Sequence, residues 1–98
     1  MRESAFQHSL IQELKERFPG CVVLKNDASY IQGIPDLLFL YNDRWAALEC
    51  KQKANAHRQP NQEFYIQKMD GMSFARFVSP ENKEEVLHAL EQSFRTRR

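Results

Sequence analysis

The chain reads as an α/β (α+β) domain, a mixed sheet flanked by helices, on three observations. Phe6, Leu10, Leu14 and Phe18 recur every four residues near the start, the apolar stripe of an amphipathic helix. Two apolar, strand-like runs meet across Asn42-Asp43, a two-residue hairpin signal. A further alternating run, "SFARFV", lies between two more helical stripes. The order is α-β-β-β-α-β-α, and the hairpin requires at least one antiparallel pair, so the sheet is mixed.

Each element has its own local reason. The first helix is expected from Glu3 to Arg17 and is stopped by "FPG" at Phe18 to Gly20. "CVVLK" is short and β-branched, a strand. "NDASYIQG" is polar and turn-rich, a loop. The two hairpin strands follow. Pro60 suits a helix start, Tyr65, Ile66 and Met69 mark that helix's apolar face, and Asp70-Gly71 is expected to end it. Ser79-Pro80 is expected to cap the last helix, whose stripe is Val86, Leu87, Leu90 and Phe94.

A chain of 98 residues makes one small domain, expected to span 1–98, with a single core. At 42% hydrophobic and 28% charged it has ordinary globular composition. Its apolar runs are too short to span a membrane, and no charged segment followed by an apolar stretch marks a signal peptide. Cys21 and Cys50 both sit in strand-like runs, which suits reduced, buried thiols and an intracellular setting. His8, His57 and His88 are too widely spaced to read as a metal site. The net charge of +1 does not advertise nucleic acid. However, "KQKANAHRQPNQ" holds Lys51, Lys53 and Arg58 with no acid, and "FRTRR" adds arginines at the end. A solvated loop and a solubilising tail account for these equally well.

The most informative stretch is "IPDLLFLYNDRWAALECKQK", Ile34 to Lys53. With Asn42 and Asp43 as a two-residue loop, Tyr41 faces Arg44 and Asp36 lands opposite Glu49. Opposed residues share a face with Cβ atoms roughly 5 Å apart. Glu49 and Lys51 share that face too, because side chains alternate. Two acids in direct opposition destabilise a sheet unless a proton, a cation or Lys51 compensates. Mg²⁺ is typically held by one or two carboxylates plus water and phosphate; a surface salt bridge from Lys51 is the competing explanation. A three-residue loop would set Asp36 against Cys50 instead.

Two further polar residues fall on apolar faces. On a helical wheel Glu3 lies at the centre of the stripe formed by Phe6, Leu10, Leu14 and Phe18. There it needs a partner, or escapes to water from a frayed helix end. Gln62 sits one turn before Ile66 on the inward side of the second helix. It is expected either to contact the site or to cap the helix.

The pattern resembles the PD-(D/E)XK nuclease superfamily: an acid on the first helix, Pro35-Asp36 at a strand start, then Glu49-Cys50-Lys51 on the next strand. The element order matches that superfamily's restriction-endonuclease-like αβββαβ core, with an extra C-terminal helix. More narrowly, "ESAFQHSLIQEL", "QGIPDLLFL", "LECKQK", Gln62 opening the next helix and Gly71 before the last strand resemble the VRR-NUC (virus-type replication-repair nuclease) family. The resemblance covers nearly the whole chain. The family usually shows a more basic run before Gly-x-Pro-Asp, and Gln32 holds the place where a lysine is common. The resemblance implies that Asp36, Glu49 and the Cys50 backbone carbonyl bind Mg²⁺ or Mn²⁺, with Glu3 completing the site directly or through water. Lys51 would orient the attacking water and stabilise charge on the phosphate, and Gln62 would support them. Tyr30, Gln32, Lys53, His57 and Arg58 are the candidate DNA contacts.

The expected function is a metal-dependent DNA endonuclease acting on branched DNA. The version most like stand-alone family members is a Holliday-junction resolvase-like homodimer of phage or prophage type. The alternatives are a monomeric flap or structure-specific nuclease, and a catalytically inactive DNA-binding adaptor. The adaptor reading is disfavoured because each expected catalytic residue type is present.

Overall fold

The computed structural model describes residues 2–95. Its elements are α1 (Glu3–Arg17), β1 (Val22–Lys25), β2 (Leu37–Tyr41), β3 (Arg44–Cys50), α2 (Pro60–Met72), β4 (Ala75–Val78) and α3 (Lys83–Arg95). This is the αβββαβ order followed by one more helix. The strands form one sheet in the order β1-β2-β3-β4; β1–β2 and β2–β3 are antiparallel and β3–β4 is parallel. Parallel pairing is possible here because the α2 crossover carries the chain back to the other end of the sheet. Arg97 and Arg98 of the basic tail lie outside the described residues.

The hairpin has the two-residue loop that the sequence predicts. Tyr41 pairs with Arg44 and Leu37 with Leu48. Asn42 takes the strained position, with φ of 56°, a left-handed conformation that asparagine tolerates better than most residues.

The two faces of the sheet are covered differently. On one, Leu37, Phe39, Ala46, Leu48 and Cys50 pack against Phe6, Leu10 and Leu14 of α1 and Val86, Leu87 and Leu90 of α3. Phe18 meets Phe39 and Tyr41 edge-on at ring distances of 5.0 and 5.2 Å, and Phe94 stacks on Phe39. On the other, α2 covers β3 and β4 through a smaller cluster of Ala47, Ile66 and Ala75. Beyond α2, Val22 and Leu24 of β1 remain about half exposed. No helix among the described residues is long and apolar enough to cross a membrane.

Two boundaries differ from expectation. Gly71 does not end α2, which runs on to Met72. A Cβ built at Gly71 meets nothing within 4 Å, so this glycine sits on an open side of the helix. It costs the helix only about 1 kcal/mol of propensity. Ser79 does not cap α3, which starts at Lys83. Instead the Ser79 N–H and hydroxyl donate to Asn82 Oδ1, and the Asn82 carbonyl accepts the Val86 N–H, which opens the helix's hydrogen-bond ladder.

Candidate active site

The hairpin's backbone ladder stops at Leu37–Leu48. Extended by two positions, the register sets Cys50 opposite Pro35, which has no N–H to give to the Cys50 carbonyl. Side chains take over the pairing from there. The Asp36 N–H donates to Glu49 Oε1 at 3.1 Å, and the Cys50 N–H donates to Asp36 Oδ2 at 2.9 Å. Each acid thus binds the other strand's backbone. Asn26 holds the approach: its N–H donates to the Asp36 carbonyl and its Nδ2 to the Pro35 carbonyl, both at 2.8 Å. Nothing in the spacing of the sequence singled out Asn26.

Gln62 links the acids to the lysine. Its Nε2 donates to Glu49 Oε2 at 3.0 Å, and its Oε1 accepts from Lys51 Nζ at 2.9 Å. The same oxygen accepts the Gln59 N–H at 3.0 Å and completes a capping box at the start of α2. Gln62 therefore caps the helix and also hydrogen-bonds Glu49 and Lys51. Lys51 Nζ also donates to the His57 carbonyl at 3.1 Å, which ties the basic loop down. The structure thus joins Asp36, Glu49, Gln62 and Lys51 in one hydrogen-bonded chain.

The electrostatics are those of a desolvated like-charge pair. Glu49 is only 4% exposed. Burial above all, then the charge of Asp36, pushes its carboxyl up to about 7; the charge of Lys51 and the Asp36 N–H oppose this, and Glu3 adds slightly to it. Asp36 is raised as well, mainly by burial, against the Cys50 N–H, Lys51 and Glu49. Burial, and then the same acids, push the Cys50 thiol up to about 12, so it is a buried apolar side chain rather than a nucleophile.

For Glu3, of the two outcomes left open, the side chain reaches water. It opens α1, and it is exposed rather than core-facing. The apolar stripe begins one turn later at Phe6, 2% exposed. Glu3 nevertheless acts on Glu49 and Cys50 through its charge, and Gln7 of the same turn hydrogen-bonds Cys50. Among the described residues no group of three or more His, Cys, Asp or Glu side chains could hold a metal ion. The donor set in hand is the Asp36–Glu49 pair. Two hard carboxylates suit a cation such as Mg²⁺ or Mn²⁺ that takes few protein ligands and keeps its waters.

The candidate DNA contacts fall into two groups. Lys53, His57 and Arg58 lie exposed on the loop after β3. Arg58 is held over the Phe77 ring, 3.9 Å from its centroid. Tyr30 and Gln32 lie exposed on the loop between β1 and β2. That loop packs on α2 through Gly33, whose φ is +90° and where an added Cβ would lie 2.4 Å from Asn61 Cβ. Glycine is required there on both counts. Phe77 and Asn61 gave no functional signal in the sequence, because each acts by supporting a neighbour.

No family model, curated protein or solved structure matches the chain.

Proposed function

We propose that the protein is a Mg²⁺- or Mn²⁺-dependent endodeoxyribonuclease that hydrolyses phosphodiester bonds in branched DNA. One observation carries the reading: Asp36 and Glu49 stand together at the end of a rigid hairpin, and the Glu49 carboxyl, buried and raised to about 7, is linked through Gln62 to Lys51. A fold seeking stability alone gains nothing from opposing two acids there. The resemblance to the VRR-NUC family in Pro35-Asp36 and Glu49-Cys50-Lys51 supports the same chemistry.

Asp36 and Glu49 would hold the cation, with the Cys50 carbonyl as a further oxygen donor and Glu3 acting through water. When bound, the metal supplies Lewis-acid polarisation and a water of lowered pKa. Lys51 positions the water and offsets charge that grows on the phosphate in the transition state. Gln62 fixes the distance between Lys51 and Glu49, so neither side chain must reorganise during the reaction. Lys53, His57 and Arg58 lead the phosphate backbone to that point. Two subunits related by a two-fold axis would give paired cuts in a four-way junction. A bacterial cell carrying the phage or prophage is the expected setting.

The test is cleavage of labelled four-way junction, flap and linear duplex DNA with Mg²⁺, Mn²⁺ or EDTA. Wild type should cut with metal and not with EDTA. Asp36→Ala and Lys51→Ala should each cut about 10²-fold more slowly or worse, with circular dichroism confirming that they fold. Absence of cutting on every substrate, or undiminished cutting by both variants, overturns the reading. A light-scattering mass of one subunit removes the resolvase-like dimer and leaves the monomeric flap nuclease.

A further inference from the structure

A groove of about 340 Å³ runs between the β1–β2 loop and the start of α2, where the basic stretch ends. Ala28, Gln32, Gly33, Gln59, Asn61 and Gln62 line it. Its volume is at the lower end of the ~300–1,000 Å³ typical of small-molecule sites. Gln62, which binds Glu49 and Lys51, is one of its walls, so the groove shares a side chain with the candidate active site.

Its chemistry differs from that of the basic loop. No lining residue is charged. The helix end offers few donors to an anion, because Pro60 has no N–H and the side chains of Gln59 and Gln62 accept the N–H groups of Gln62 and Gln59. Asp27, at the base of the loop, accepts from the Ser29 N–H and hydroxyl, which lower its pKa and keep a negative charge there. Phosphate is disfavoured in such a place. A neutral, flat, polar group suits it, because the side-chain amides of Gln32 and Asn61 offer donors and acceptors together. Lys51, Lys53 and Arg58 border a separate pocket.

Tyr30 stands on the turn between the lining residues Ala28 and Gln32. It is 84% exposed. Its turn is fixed by the two Ser29 bonds to Asp27 Oδ1, at 2.9 and 2.6 Å, and by the Tyr30 N–H to the Asp27 carbonyl at 3.1 Å. An aromatic ring held out into water by an ordered turn is of no use to the core. It is the form that a stacking platform for bases takes.

We propose, building on the nuclease reading, that Tyr30 and this groove receive an unpaired nucleobase while the basic loop takes the flanking phosphates. The substrate class is then DNA with unpaired bases beside the cut, such as a flap or an opened branch point, in preference to continuous duplex.

The test is fluorescence anisotropy in Ca²⁺ buffer, which needs no cleavage. Blunt duplex is compared with the same duplex carrying a single-stranded flap with 2-aminopurine at its first unpaired position. Wild type should prefer the flap and quench the 2-aminopurine. Tyr30→Ala should weaken flap binding about tenfold, lose the quenching and weaken duplex binding much less; Tyr30→Phe should restore flap binding and quenching. Equal wild-type affinity for the two DNAs, or a Tyr30→Ala loss that is the same on both, overturns the base site. If Asp36-dependent cleavage occurs without this preference, only the base site falls. If the preference occurs without any cleavage, the base site stands and the nuclease reading falls.

Discussion

On the α1/α3 side of the sheet, Phe39, Leu48 and Cys50 meet two helices in a continuous apolar cluster. On the α2 side, the same strands present Ala47 and Glu49, and a single helix supplies one buried residue, Ile66. Alternation makes this division unavoidable: each strand residue that faces the large cluster has neighbours facing the other way. The difference teaches how a small domain hosts buried charge. One face supplies most of the burial and holds the strands rigid. The other then tolerates a raised carboxyl pair without loss of the fold, since stability is a small balance that one bad contact can upset.

The largest effect expected from that contrast is on packing. Leu48→Ala, at a fully buried position, should cost about 4 kcal/mol in denaturant unfolding. Ile66→Ala, 8% exposed and in the smaller cluster, should cost about 2 kcal/mol, because water can reach the space it leaves. Equal losses would break the contrast between the faces.

Next in size is a pH effect confined to the α2 side. Glu49 binds its proton more tightly folded, at about 7, than unfolded, near 4.5. Its contribution to stability is therefore fully present below about 4.5 and is lost as pH rises through 7. Asp36 acts in the same direction. Glu13 and Asp27 are lowered, so their contributions fade only on the acid side of this window. Thermal unfolding in EDTA should show the protein about 2–3 kcal/mol less stable at pH 8 than at pH 5. Added Mg²⁺ should recover stability at pH 8 more than at pH 5. A stability curve that rises from pH 5 to 8 without metal would mean that the acid pair is not desolvated as described.

The smallest effect tests the link between the two. Gln62→Ala removes the partner of Glu49 Oε2, a partner of Lys51 and half of the capping box. It should cost about 1–2 kcal/mol. It should also slow cleavage while leaving the hairpin intact, which amide exchange of β2 and β3 would read.

How far the sequence carried depended on whether a feature was set locally. The Asn42-Asp43 turn and the alternation of two strands are local, and they were enough to oppose Asp36 and Glu49. For Glu3 two outcomes stayed open, because a helical wheel gives direction around the axis and not where along it the neighbouring sheet ends. Gln62 was legible as an oddity only. Its two roles depend on the crossover that sets α2 over β3. The cap of α3 was misread because Asn82 competes for the Ser79 donors, a contest between neighbours that residue preference alone does not decide.

Pro35 has a consequence in terms of chain entropy. Because it ends the backbone ladder, the contacts beyond Leu37–Leu48 are made by the carboxylates themselves. Those contacts close a loop that contains little more than the hairpin. The Lys51–Gln62 bond also lies within a short span. Seating Gln62 against Glu49, however, requires the segment from 51 to 59 to be ordered and α2 to be laid across the strands. Loop closure grows only slowly in cost with length, by about 0.6 kcal/mol per doubling, so the expensive step is ordering that segment. The bonds that tie the two acids to each other's strands lie within the hairpin, whereas Gln62 and its link to Lys51 depend on the whole β3-α2-β4 crossover.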